Sequence, residues 1–140
     1  MPGGQYDDTL TLTLRVPGPN PTTTAAVRIF APASCTMTVP PNVSFTYTAF
    51  GPTVLASSVF SATCTTLMPY TMSLDSTAGN VIGLDYALGL NTLGVGSLAT
   101  TGTGAAQSYT ILGSMAAGQA GICVGGVCPG SQGHTVTISY

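Results

Sequence analysis

Residues 8–16 read Asp8-Thr9-Leu10-Thr11-Leu12-Thr13-Leu14-Arg15-Val16. Leu10, Leu12, Leu14 and Val16 fall on one side of an extended chain and Thr9, Thr11, Thr13 and Arg15 on the other, the period-two pattern of a strand with one buried face. Working outward, the same alternation returns at the far end, where His134-Thr-Val-Thr-Ile-Ser-Tyr140 matches Asp8-Thr-Leu-Thr-Leu-Thr-Leu14 in register. Gln5 and Gln132 lie shortly upstream of the two segments, so the chain is expected to begin and end with the same kind of strand. Further strand-like segments are predicted at about 25–31, 35–39, 43–50, 54–64, 69–75, 81–90 and 108–113, with a last one at 134–140. Helical periods are nearly absent, and this turn-bounded spacing is that of an antiparallel β-sandwich. Pro17-Gly-Pro-Asn-Pro21 and Thr22-Thr-Thr24 predict a stiff linker over 17–24. Residues 93–107 read as a mobile loop. Its Gly94-Val-Gly96 and Gly102-Thr-Gly104 lack the following helix and Lys that a phosphate-binding loop requires.

Composition narrows the function classes. One domain is the expectation for 140 residues. Only 4% are charged, namely Asp7, Asp8, Asp75, Asp85, Arg15 and Arg28, so hydroxyls must keep the surface wet. Two cations and a net charge of -2 cannot neutralise a phosphate backbone, so nucleic acid and anionic membrane surfaces are poor candidates as partners and neither is expected. Gly, Pro, Ser and Thr interrupt every apolar run before the roughly 18 residues of a membrane helix, so no membrane insertion is expected. Met1-Pro-Gly-Gly-Gln5 carries no secretory signal, and the sequence reads as a mature or excised fragment of a secreted protein.

Four cysteines in a Lys-free chain suit two disulfides formed in an oxidising compartment. Cys123-Val-Gly-Gly-Val-Cys128 can close on itself because its two glycines allow a tight turn. No second histidine is present to complete a zinc set, and neither metal nor cofactor is expected. His134, the single histidine, could be written into a triad with Asp75 or Asp85, but no Gly-x-Ser-x-Gly elbow accompanies it. Asp75 and Asp85 are also the only carboxylate pair of 25–140, and turn or strand-edge roles suit them better than glycoside hydrolysis. An enzyme is not expected.

Cys35 and Cys64, Tyr70-Thr-Met-Ser-Leu74, Leu84-Asp-Tyr-Ala-Leu88, Tyr109-Thr-Ile-Leu-Gly113, Gly118-Gln119 and Thr135-Val-Thr-Ile-Ser-Tyr140 together resemble the spore coat protein U (SCPU) domain, which supplies subunits of archaic chaperone-usher pili. Gly4-Gln-Tyr-Asp-Asp-Thr-Leu-Thr-Leu-Thr-Leu14 resembles that family's terminal strand, whereas Gly133-His134 and the Cys123–Cys128 pair depart from it. The resemblance implies three parts: residues 1–16 as the terminal strand of a preceding SCPU domain or a donor strand, 17–24 as a linker, and 25–140 as a pilin-like domain of a two-domain, tip-like member. It further implies an immunoglobulin-like sandwich that lacks its last strand after Tyr140 and is completed by a donor strand. The candidate donors are Leu10, Leu12, Leu14 and Val16, or Val27 and Ile29, the first set expected to fill a groove of its own domain or a neighbour's. Cys35–Cys64 is implied as a bond between the first two strands of the domain. Val136, Ile138 and Tyr140 are implied as the edge strand engaged by a periplasmic chaperone and by neighbouring subunits. The implied partners are those subunits, the chaperone and an outer-membrane usher. The implied location is an extracellular pilus, reached through the periplasm and serving attachment and biofilm formation. The alternative is a self-contained secreted sandwich that binds surfaces or glycans through loops such as 93–107 and does not polymerise.

Overall fold

The computed structural model describes residues 3–13, 17–19 and 21–140. Leu14 and Val16, two of the expected donor residues, lie outside the described residues. The chain is all-β, with strands β1 (Gly4–Thr13), β2 (Thr22–Ala31), β3 (Cys35–Met37), β4 (Val54–Cys64), β5 (Pro69–Leu74), β6 (Ala78–Val81), β7 (Leu84–Leu90), β8 (Ser97–Thr101), β9 (Ala106–Met115) and β10 (Val136–Ser139). A five-stranded antiparallel sheet β3-β4-β9-β7-β6 faces a three-stranded sheet β10-β5-β8, and β1-β2 form a separate ribbon.

The core forms because alternate residues of facing strands turn inward. Phe60, Ala62 and Cys64 of β4, Tyr86, Leu88 and Leu90 of β7, and Tyr109, Ile111 and Met115 of β9 meet Tyr70 and Met72 of β5. Burying each large apolar side chain contributes about 1.5–3 kcal/mol. The hydroxyls of Tyr70 and Tyr109 hydrogen-bond each other inside the sandwich, and the Tyr70 hydroxyl also lies within donating distance of Gln107 Oε1 (3.2 Å). Burial, then the bond to Tyr109, pushes the Tyr70 phenol well above its ordinary pKa.

Four segments differ from the sequence reading. Residues 81–90 are two strands, because Ile82 (φ 48°) and Gly83 (φ 73°) both take left-handed conformations and make the tight two-residue turn of a β-hairpin. Residues 97–101, read as part of a loop, form β8 because the edge of β5 offers a ladder and Leu98 packs on the core. Thr22–Thr24, read as linker, extend β2 because β1 pairs with them as far as Thr13↔Thr22. Residues 43–50 keep their alternation, with Val43, Phe45 and Tyr47 packed on the core, but join no sheet.

Candidate functional site: an open edge between the sheets

The small sheet has one bare side. β10 pairs antiparallel with β5 from Val136↔Leu74 to Ser139↔Thr71 and has no partner on its other edge among the described residues. β8 takes the opposite edge of β5, and the turn into it lies near β6: Leu74 N donates to Gly96 O, and a Cβ on Gly96 would meet Thr77 Cγ2 at 2.8 Å. The bare edge of β10 is the one turned away from β5 and β8.

In the larger sheet β3 stops early. Thr38 N donates to Ser61 O (2.9 Å), and Ser61 N donates to Thr38 Oγ1 (2.9 Å). The next tethers lie at Tyr47, whose hydroxyl accepts from Gln119 N (2.9 Å), and at Phe50, whose N–H donates to Gln119 O (2.8 Å). Among the described residues, the backbone of 39–47 makes no hydrogen bond between these two tethers. Pro40 and Pro41 carry no donor, but the amides from Asn42 onward do. Buried backbone groups almost always find partners, so an extended run of this kind must face water or an incoming chain.

Phe45 holds the run against the body. Its ring lies 6.2 Å from that of Tyr86, and a Cβ on Gly113 would come within 2.5 Å of it, so the glycine is the recess into which Phe45 packs. Tyr86 also meets His134 edge-on, with ring centroids 5.7 Å apart. Phe45 and His134, one beside each wall of the opening, thus share a single tyrosine as floor. Val136 and Ile138 complete the apolar lining from β10.

A polar clasp fixes the entry to β10. His134 Nδ1 lies 2.8 Å from Asp75 Oδ1, its Nε2 contacts the Tyr86 hydroxyl, and that hydroxyl donates to Gln132 Oε1 (2.8 Å). Asp75 N donates to Thr135 O (3.0 Å), which starts the β5-β10 ladder. The hydrogen bond from His134 holds the Asp75 carboxyl below its usual range, and burial with the nearby Asp75 charge raises the Tyr86 phenol. Sequence reading had offered Asp75 or Asp85 to His134. The fold brings Asp75 to it and gives Asp85 to Asn80 (2.6 Å) and to a reciprocal clamp with Gln119. The three side chains around Tyr86 fasten the start of β10 to β5 and β7. Tyr86 and Gln132 were missed as members, although Tyr86 sits at an inward position of an alternating strand, where a hydroxyl needs a partner.

The expected donor residues are elsewhere. Leu10, Leu12, Val27 and Ile29 all lie on one face of the β1-β2 ribbon and are exposed, at 54%, 52%, 46% and 54%. Neither strand enters the opening of its own body, because each is the other's partner along ten residue pairs. Tyr140 is exposed beyond β10. Cys35 is bonded to Cys64, its register partner (Cα–Cα 4.1 Å), and Cys123 to Cys128 (Cα–Cα 5.8 Å). Among the described residues no helix is long and apolar enough to cross a membrane, and no group of three metal-ligating side chains occurs. Two shallow depressions, lined by Gly3, Ala33 and Thr66–Pro69 and by Leu55–Ser57, Leu93, Leu112 and Gly113, hold no titratable side chain.

No family model and no curated protein matches the chain. Among solved structures, it is similar to a chain of the crystal structure of the CsuC–CsuE chaperone–tip adhesion subunit pre-assembly complex, from the archaic chaperone-usher Csu pili of Acinetobacter baumannii. The TM-score is 0.56 and the identity 14%, over 100% of this chain and 60% of that one. This chain therefore spans less than two thirds of the length of that neighbour. At that identity the likeness is one of fold, an immunoglobulin-like β-sandwich.

Proposed function

We propose that this protein is a structural or adhesive subunit of a bacterial surface pilus, whose body accepts a strand from a neighbour along the open edge. The observation that carries this reading is the bare edge of β10 opposite the unbonded backbone of 39–47, with Val136, Ile138 and Phe45 between them. An added strand supplies ladder hydrogen bonds to both walls and alternate side chains to the apolar gap. During export a periplasmic chaperone would occupy the same edge, Val136, Ile138 and Tyr140 being its contacts, before an outer-membrane usher exchanges it for a subunit. The likeness to a chain of a chaperone–subunit complex, together with two disulfides suited to an oxidising compartment, supports this order of partners.

A role in attachment and biofilm formation is favoured by a second feature. Val124 and Val127 are 99% and 95% exposed at the tip of the loop closed by Cys123–Cys128, a rigid apolar projection that a solely structural shaft does not require.

The test uses a ten-residue peptide of sequence Thr-Thr-Thr-Ala-Ala-Val-Arg-Ile-Phe-Ala, that of β2, followed by native mass spectrometry and amide hydrogen exchange. The expected result is a one-to-one complex with slowed exchange at Val136–Ser139 and at 42–47. Unchanged exchange at both walls in the presence of excess peptide would leave a self-contained binding module as the better description.

A further inference from the structure

We propose that this chain carries a second open edge, β4 over Leu55–Val59, and that a second copy of the chain pairs with it edge to edge about a two-fold axis through Ser57. The inference goes beyond the strand-acceptance reading above and does not depend on it, because this edge belongs to the larger sheet.

The hydrogen-bond directions of β4 define the edge. Thr38 N donates to Ser61 O and Thr65 N to Ser34 O, so the backbone groups of Ser61 and Thr65 point toward β3, while Gly104 N donates to Cys64 O on the β9 side. The register of β4 with β9 runs without a break from Val54↔Met115 to Thr63↔Ala106. Successive residues of an antiparallel strand turn their backbone groups to opposite neighbours, so the N–H and C=O of Leu55, Ser57 and Val59 also point to the β3 side. β3 ends at Met37, and among the described residues none of these groups has a hydrogen-bond partner. The 39–47 run does not cover them. A Cβ on Gly113, the register partner of Ala56, would meet Phe45 Cζ at 2.5 Å and Val43 Cγ1 at 3.0 Å, so the run lies against the inward face of the sheet and not beside its edge.

Nothing guards this edge. It has no bulge, no internal proline and no charge, and Leu55 and Val59 stand 74% and 58% exposed on the outer face. Native edge strands are normally blunted by such devices. The other edge of the same sheet is covered by the chain itself: a Cβ on Gly130 would meet Val81 Cγ1 of β6 at 2.3 Å, and Ile122 N donates to Ile82 O (2.9 Å).

The occupant follows from the symmetry of the edge. An antiparallel partner centred on Ser57 sets the two Ser57 against each other and each Leu55 against a Val59. Every such pair exchanges N–H to O=C bonds, and the aliphatic pairs close over the outer face. No Asp, Glu, Lys, Arg or His lies within 35–64 or 106–115, so two copies of a net-negative chain meet here without like charges opposed. Leu55–Val59 alone is well short of the roughly 20–30 residues a side of a standard interface, so the pair is reversible and fills only at high concentration. In a fibre of such subunits, the arrangement proposed above, the edge recurs in every subunit, and the same weak contact repeated would hold fibres side by side.

The experiment is analytical ultracentrifugation of the full chain over a concentration series, with amide hydrogen exchange read by NMR at the two ends of the series. Expected is a monomer–dimer equilibrium, with exchange at Leu55, Ser57 and Val59 slower in the concentrated sample. Ser57→Pro removes an N–H that the β4-β9 ladder does not use, so it should leave the melting temperature unchanged and abolish the dimer. Should that variant melt early, Leu55→Lys with Val59→Lys decides instead, since both side chains are exposed, and loss of the dimer is again the expected result. A chain that stays monomeric at every concentration overturns the proposal, as does a dimer that survives in a folded variant, or slowing confined to Val136–Ser139. That last outcome would place the contact at β10 and leave the strand-acceptance reading standing.

Discussion

At the scale of single residues, the clasp around Tyr86 gives the sharpest expectations. Asp75 has its carboxyl pKa lowered by His134. Its stabilising contribution is therefore complete above the unfolded-state carboxylate pKa of about 3.9 and is lost as pH falls through the lower folded value. Urea midpoints measured from pH 7 downward should show the unmodified chain and Asp75→Asn converging below about pH 4. His134→Ala removes both the edge-on ring contact and a bond to the Tyr86 hydroxyl and is expected to cost about 1–2 kcal/mol in the same assay. Gly79 explains why no side chain is tolerated opposite: a Cβ there would lie 2.3 Å from the Tyr86 hydroxyl oxygen and 2.6 Å from Gln132 Oε1. Gly79→Ala should cost about 1–3 kcal/mol by overpacking. Ser58 behaves in the opposite way, since its Oγ is buried without a partner. Ser58→Ala should leave stability unchanged or raise it by about 1 kcal/mol.

At the scale of elements, the two disulfides differ in what they close. Cys35 and Cys64 are 29 residues apart and tie the short β3 to β4, whereas Cys123 and Cys128 are 5 apart and brace one loop. Loop-closure entropy gives about 3–4 kcal/mol for the first and about 2 for the second. Replacing each pair by alanine should reproduce that order in chemical denaturation, and the first replacement should also release the 39–47 wall. Most elements were legible from alternation: β4, β5, β9 and β10 fall within about two residues of the expected segments. The β6-β7 turn was not, because Ile-Gly does not advertise a hairpin and Ile82 takes its left-handed conformation only because two strands demand it. β8 was not legible either, since Ser97-Leu-Ala-Thr-Thr101 becomes a strand through the edge of β5 and not through its own propensity.

At the scale of the molecule, the accessible surface is 8858 Å², against about 6,700 Å² for a compact protein of this mass. The projecting ribbon and the open edge account for an excess of this kind. A two-stranded ribbon without a covered face is marginally stable in water. Amides of β1 and β2 should therefore exchange orders of magnitude faster than those of β4 and β9 in hydrogen-exchange mass spectrometry, and β10 should lie between until a strand is bound. The sequence by itself determined the all-β class, the inward and outward faces, the even use of cysteine and the scarcity of charge, because these follow from side-chain period and composition. Only the tertiary structure decided which alternating segments are paired. Val43–Tyr47 and Leu10–Leu12 carry the same local pattern, yet one is left bare beside β10 and the other is matched to β2. A strand's pattern states which face is buried; its partner is set by which edges the rest of the chain leaves within reach.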